Sequence, residues 1–301
     1  MKVSPGGYLW WYVDALSDDG AYGLTMIAFV GSVFSPYYAW SGRRDPENHV
    51  ALNVALYGPN GRWTMTERGR RNSTRGRDTF ELGGSMMRVK DDRVIIDVNE
   101  IGAPAPLPVK GRISVGFDAL GDTTFLIDGR GRHRWRPLAP SARVSVDFAE
   151  PNVRWSGHGY FDTNNGDEPL EDGFEFWDWS RTQVDGGRTA ILYNTDLADG
   201  GRLAAAYLVD AKGSVEAFEP KFDAGLPSTP IWRIKRRTRA DDPDGARIVR
   251  TFEDTPFYSR SMVATNIFGK ARIGVHESFD GPRLRNGIVK SLLPFRMPRL
   301  A

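Results

Sequence analysis

Between Gly157 and Arg181 the chain concentrates acids, aromatic rings and turn residues as nowhere else in its length. The stretch reads Gly157-His158-Gly159-Tyr160-Phe161-Asp162-Thr163-Asn164-Asn165-Gly166-Asp167-Glu168-Pro169, then Leu170-Glu171-Asp172-Gly173-Phe174-Glu175-Phe176-Trp177-Asp178-Trp179-Ser180-Arg181. Such a mixture suits a carboxylic acid held against an apolar, π-rich wall. If residues 158–162 are extended, His158, Tyr160 and Asp162 share one face, and an imidazole, a phenol and an acid enter one cavity together. Asp162 would serve equally as a cap for the turn that ends at Gly166, accepting backbone N–H groups. Spacing alone leaves both readings open. Asp178 is the rival acid, but on a strand Trp177 and Trp179 share a face and Asp178 takes the other, where it suits a cation such as Arg181 or a supporting hydrogen bond.

The elements that must position these groups read as strands. Ile113, Val115 and Phe117 alternate with polar or small residues, as do Val144, Val146 and Phe148, the period of a strand with one buried face. Residues 49–57, 93–101, 189–194 and 247–252 read similarly. Turn chemistry separates them, as at Asp18-Asp19-Gly20, Asp128-Gly129, Asp185-Gly186-Gly187 and Asp199-Gly200-Gly201. Helical periodicity is confined to about one turn in the last dozen residues. Many short strands with Asp-Gly turns predict an all-β barrel or sandwich. Two pattern blocks, 1–150 and 151–301, each open on an aromatic-rich strand. In residues 8–14, Tyr8, Trp10, Tyr12 and Asp14 share one face, and Trp11 and Val13 the other; the pattern does not say which lines a pocket.

Bulk properties remove several function classes. The 301 residues carry 40 Lys and Arg against 38 Asp and Glu, a net charge of +2, so no global field selects nucleic acid. With no cysteine, disulfides, thiolate metal sites and a cysteine nucleophile are excluded. The four histidines are widely spaced, and neither a metal nor a cofactor is expected. The Asp162 to Gly173 segment looks like a calcium loop, but its glycine comes one place early and its twelfth position is Gly173, not glutamate. The amino terminus lacks a signal-like apolar region, and the apolar run 24–34 falls short of the ~20 residues of a membrane span. These features predict a cytoplasmic chain that does not cross a bilayer.

Three blocks carry a family resemblance: the Gly157–Arg181 stretch, the segment Gly6-Gly7-Tyr8-Leu9-Trp10-Trp11-Tyr12-Val13-Asp14 continuing to Trp40, and Leu293-Pro294-Phe295-Arg296-Met297-Pro298-Arg299. Together they resemble the bacterial carotenoid 1,2-hydratases, or hydroxyneurosporene synthases, which add water to the end of an acyclic carotenoid. The resemblance implies two lipocalin-like β-barrel domains in tandem, 1–150 and 151–301, with the Gly-Tyr-x-Asp motif in the second. It also implies a neurosporene- or lycopene-like substrate and Asp162 as proton donor. Hydrating an isolated alkene needs an acid, shelter for a tertiary cation and a placed water. Aspartate can be that acid only if its pKa rises from ~3.9 by roughly three units, about 4 kcal/mol, which burial or a neighbouring carboxylate can supply. Trp177, Trp179, Tyr160 and Tyr193, with Trp10, Trp11 and Tyr12, are the candidate rings around the cation.

The carboxyl-terminal residues 283–300 mix basic and bulky apolar side chains without acids, a composition that suits an anionic lipid surface. Docking onto the barrel is the other reading. The chain is therefore expected at the cytoplasmic face of an inner or intracytoplasmic membrane of a photosynthetic bacterium. Alternatives on the same scaffold are a non-catalytic isoprenoid carrier and a cyclase or isomerase.

Overall fold

Side-chain alternation sorts the strands of this protein between two different interiors. The computed structural model describes residues 2–300. In the first strand, Tyr8–Ser17, the side chains of Tyr8, Trp10, Tyr12 and Leu16 enter one core while Leu9, Val13 and Ala15 enter another. Gly23–Val30 divides in the same way: Leu24, Met26, Ala28 and Val30 on one side, Ile27 and Phe29 on the other. Strands covered on both faces lose the apolar-polar alternation of a half-wetted strand and read as nearly continuous apolar runs.

These strands belong to a 13-stranded sheet. Its main path runs Trp63–Arg68, Val50–Tyr57, Gly23–Val30, Tyr8–Ser17, Val153–Gly166, His133–Glu150, Pro108–Gly116, Arg93–Ile101, Ser85–Lys90, Thr79–Leu82 and Ser73–Arg75. The short strand Arg299–Leu300 adds in parallel to Trp63–Arg68. The sheet curls, because Val54, Val13, Val144, Ile113, Val94 and Phe80, drawn from strands along its whole width, meet in one aliphatic core. Ile113, Val115, Val144, Val146 and Phe148 fall there as their alternation predicts.

A seven-stranded sheet lies against the outer face of the first, in the order Val215–Ala217, Arg202–Val209, Arg188–Leu197, Phe174–Val184, Lys270–Asp280, Tyr258–Ile267 and Ala246–Asp254. A ribbon of Phe222–Leu226 and Arg236–Ala240 packs beside it. The architecture is all-β, as expected, with short helices such as Gly281–Arg285 and Gly287–Leu292 near the carboxyl end. No helix among the described residues is long and apolar enough to cross a membrane. A division at residue 150 does not coincide with the sheets. Val153–Gly166 pairs with Tyr8–Ser17 on one edge and His133–Glu150 on the other, so the motif strand belongs to the first sheet and not to a carboxyl-terminal one. Its short-range partner along the chain, His133–Glu150, fixes that membership.

The interface between the sheets is aromatic, and it is bolted by a buried ion pair. Arg181, on Phe174–Val184, donates through Nε to Asp14 Oδ1 at 2.7 Å and through Nη2 to the same oxygen. Burial pushes the Asp14 carboxyl up, with Arg181 pulling it down. The pairing of Asp178 with Arg181 expected from sequence is thus replaced: both alternate to opposite faces of their strand, and Asp14 meets Arg181 across the interface. Asp14→Ala strands a buried guanidinium and is expected to lower the unfolding free energy by about 3–5 kcal/mol, whereas Asp14→Leu combined with Arg181→Met recovers most of it. Urea denaturation measures both; a single-mutant loss below about 1 kcal/mol would show that the pair does not bolt the sheets.

Candidate active site

The motif strand sets Asp162 opposite Tyr12 on one neighbour and Pro137 on the other, with its side chain on the face toward the second sheet. Asp162 is only 4% exposed. Its Oδ2 accepts hydrogen bonds from the Tyr160 hydroxyl at 2.7 Å and from Trp135 Nε1 at 2.9 Å. Trp135 Nε1 also lies 3.0 Å from the Tyr160 oxygen, so the three groups close a triangle. Asp162 Oδ1 is buried with no hydrogen-bond partner. With two donors on Oδ2, a proton on this carboxyl belongs on Oδ1. Burial raises the Asp162 pKa well above the ordinary carboxylate range; the bonds from Tyr160 and Trp135 oppose the shift, and the charges of Glu277 and Asp14 add to it. Burial also holds the Tyr160 phenol far above its usual pKa, so it remains a donor.

Asp162 lines a cavity of about 30 Å³ together with Trp10, Tyr12, Asn164, Trp177, Trp179, Tyr193 and Glu277, large enough for a water molecule or two. The first sheet supplies Trp10, Tyr12, Asp162 and Asn164, and the second supplies the rest. Tyr12 meets Trp179 edge-on at 5.6 Å between ring centroids, and Tyr160 meets Trp179 at 5.0 Å. The indole N–H groups of Trp177 and Trp179 are buried without a partner. Glu277 accepts through Oε1 from Tyr12 Oη at 2.6 Å and from Arg260 Nε at 2.8 Å. Arg260 in turn lines a second cavity of about 220 Å³, walled by Ile27, Phe34, Trp63, Met65 and Phe257. The Arg260–Glu277 pair therefore forms a wall common to both spaces.

Of the residues singled out in the sequence, Asp162, Tyr160, Trp10, Tyr12, Trp177, Trp179 and Tyr193 come together here. Three do not. His158 shares the face of Asp162, but four residues at ~3.3 Å each place it about 13 Å along the strand, exposed beside Asp18 and Arg181. Trp11 points to the other face and packs on Phe80, 5.7 Å between centroids, at the aliphatic core. Asp178 faces away from its flanking tryptophans: Ser278 Oγ donates to its Oδ1 at 2.6 Å and Arg237 Nε to its Oδ2 at 2.9 Å. Burial raises its pKa to about 7, but it touches no wall of the cavity and supports the ribbon strand Arg236–Ala240 instead.

Sequence reasoning missed Trp135, Asn164, Glu277 and Arg260. The available signal was a polar or charged residue inside a strand otherwise buried: Glu277 sits in Val275-His276-Glu277-Ser278-Phe279, and Arg260 in a strand buried almost throughout. His133 also went unread. Its Nδ1 lies 2.8 Å from Tyr8 Oη, burial lowers its pKa to about 4, and Tyr8 stacks on Trp10 at 4.8 Å. Gly173 is required beside it, since a Cβ there would stand 2.2 Å from His133 Nε2.

Fold and site together define an all-β protein that holds a protonatable, half-satisfied carboxyl in an aromatic cleft between two sheets. The chain belongs to the family of the carotenoid hydratase CrtC, whose model matches residues 26–301. It is 51% identical over 304 residues to the acyclic carotenoid 1,2-hydratase of Thiocapsa roseopersicina, covering all of this chain and 75% of that one. The acyclic carotenoid 1,2-hydratase of Rubrivivax gelatinosus is 50% identical with the same coverage, and that of Cereibacter sphaeroides 44% identical, covering 91% of this chain and 98% of that one. Among solved structures, an AttH protein of Nitrosomonas europaea superimposes with a TM-score of 0.60 at 15% identity, covering 91% and 92% of the two chains, and CghA with Sch210972 with 0.56 at 14%, covering 93% and 89%. These two share the fold.

Asp162→Asn keeps the shape and removes the acid, and is expected to reduce turnover by ~10²–10⁴-fold without lowering thermal stability. With Asp162 as the expected acid, turnover requires its protonated form and is expected to fall as pH rises through its raised pKa. Near wild-type turnover in folded Asp162→Asn would place the acid elsewhere.

Proposed function

We propose that this chain is a carotenoid 1,2-hydratase, a hydro-lyase that adds water across the terminal C1,2 double bond of an acyclic carotenoid such as neurosporene or lycopene to give a tertiary alcohol. The observation that carries the reading is Asp162: a buried acid, lining a water-sized, aromatic-walled cavity, with one oxygen held by neutral donors and the other left without a partner. Asp162 Oδ1–H protonates C2, and the charge moves to C1 as a tertiary cation. The carboxylate left behind is stabilised by Tyr160 and Trp135, whose hydrogen bonds strengthen once the acceptor is charged. That gain arises only as the proton leaves, so it lowers the barrier and not merely the energy of binding. Trp10, Tyr12, Trp177, Trp179 and Tyr193 shelter the cation, each ring face contributing about 0.5–2 kcal/mol. Addition of water changes no oxidation state, so the reaction calls for no redox cofactor.

The larger apolar cavity is smaller than the ~300–1,000 Å³ of pockets that enclose a whole ligand, which suits the approach of a long chain whose terminal double bond passes the Arg260–Glu277 wall to reach Asp162 and whose remainder extends outward. Trp232 and Leu292 line it, and Ile231, Ile288 and Phe295 stand nearby in sequence at 74%, 75% and 82% exposure. We read this apolar rim, with Arg296, as the surface that meets an anionic membrane and receives the substrate. Beyond Arg296 the chain docks instead: Met297 is buried, and Arg299 pairs with Glu67. We further read the two sheets as lipocalin-like barrels in tandem, supported by the curl of the first sheet around an aliphatic core of its own, with the division after Gly166.

Lycopene micelles incubated with the purified protein in deuterium oxide containing oxygen-18 water are expected to give an alcohol with one carbon-bound deuterium and one heavy oxygen, without added nicotinamide, flavin or metal. An unlabelled alcohol oxygen, or bound lycopene that is never converted, would replace hydration with oxygenation or carriage. Ile288→Ser with Phe295→Ser is expected to weaken cosedimentation with phosphatidylglycerol vesicles at least tenfold, since each large apolar side chain contributes about 1.5–3 kcal/mol when fully buried, while conversion of micellar substrate persists. Unchanged sedimentation would rule out this rim as the membrane contact.

A further inference from the structure

Hydration needs a second proton transfer. We infer that Glu277 is the general base that takes the proton from the attacking water, an assignment that rests on the hydratase reading above. Asp162 and Glu277 line one small cavity from opposite sheets, and each is held through a single oxygen. Both donors to Asp162 fall on Oδ2, and both donors to Glu277 fall on Oε1. One oxygen of each is left for chemistry in the space between. The donors differ in kind. Asp162 is met by a phenol and an indole, which suit a neutral acid, whereas Glu277 is ion-paired with the guanidinium of Arg260, which suits a carboxylate. Arg260 is shared with Glu253 at 2.7 Å and is itself 2% exposed, so it is locked in place behind Glu277. A cavity of about 30 Å³ leaves a water between the walls little choice of position.

The steps balance. The O–H bond of Asp162 breaks as the π pair forms the C2–H bond, leaving the cation at C1. The water oxygen forms the C1–O bond, and one of its O–H bonds breaks to give its proton to Glu277 Oε2. Asp162 is then a carboxylate and Glu277 an acid; a proton passing from Glu277 to Asp162 through the cavity or solvent restores both, and the net change is addition of one water. Without the base, the cation still forms but is captured slowly, and it returns a proton to Asp162 more often than it gains a hydroxyl.

This partition is the readout that a merely structural role would not move. Lycopene micelles in deuterium oxide are treated with wild type, Glu277→Gln and Asp162→Asn, and mass spectrometry scores deuterium in recovered substrate against alcohol formed. Glu277→Gln is expected to raise the ratio of exchange to hydration by ~10²-fold or more, the worth of a general base, and Asp162→Asn to abolish both. Exchange and hydration falling together in Glu277→Gln, or an unchanged ratio, would overturn the assignment. If Glu277→Gln does not fold, Glu277→Asp keeps the charge beside Arg260 but withdraws the carboxylate by about one bond length, a displacement that can cost ~10²-fold; its ratio is expected to rise about tenfold, and an unchanged ratio overturns the base role. Wild-type protein that yields neither alcohol nor exchange would overturn the hydratase reading itself.

Discussion

A buried carboxyl group is either neutral or expensive. An unpaired carboxylate inside a protein costs several kcal/mol, and the usual escape is to hold a proton or find a cation. The interface between the two sheets uses both solutions within one cleft. Asp14 takes Arg181, Glu277 takes Arg260, and Asp162, offered no cation, is bonded by Tyr160 and Trp135. The distribution of guanidinium groups thus decides which acid keeps its proton. Everything else around the cleft serves that sorting: the aromatic rings bury the acid, the bolt between Asp14 and Arg181 holds the walls in register, and the Tyr160–Trp135 triangle fixes which oxygen of Asp162 is left without a partner.

The double burial of the first sheet makes this arrangement possible. Its inner face is almost wholly aliphatic, with Val13, Met26, Val54, Ile113 and Val144 among its members, and supplies a core that asks nothing of the cleft. Its outer face can then afford polar groups. Because alternate residues of the same strand serve the two interiors, Phe161 anchors the motif strand in the aliphatic core while Tyr160 and Asp162 are presented to the second sheet. A one-residue slip would exchange those roles completely, so the packing of Phe161 also fixes the aim of the acid.

Much of this was legible in the sequence, for reasons that can be named. Period-two alternation gave the strands and the all-β class, and it gave the shared face of Tyr160 and Asp162 and the opposing face of Asp178. It failed for His158, because a face says nothing about distance along it, and for Trp11, because a strand covered on both sides offers no sign of which cover is the cleft. Trp135, Glu277 and Arg260 were out of reach for another reason. They lie 27, 115 and 98 residues from Asp162, as differences of the sequence numbers, and only strand pairing across both sheets brings them near. A local pattern sees one strand; this site is made of seven.

The motif strand ends at Gly166 and the strand with the two tryptophans begins at Phe174, so consecutive lengths of chain form the facing walls of the cleft. The connection between them, residues 167–173, is anchored: Glu171 is buried and tied to Arg43 of the first sheet's loops and to Lys290 near the carboxyl end. The walls are therefore covalently joined and clamped at one margin, like the spine of a book. Any widening that pivots about this margin is greatest at the opposite edge, where it must part the Arg181–Asp14 bolt, and least beside Gly166. An acid four residues from the spine is displaced least by such a motion.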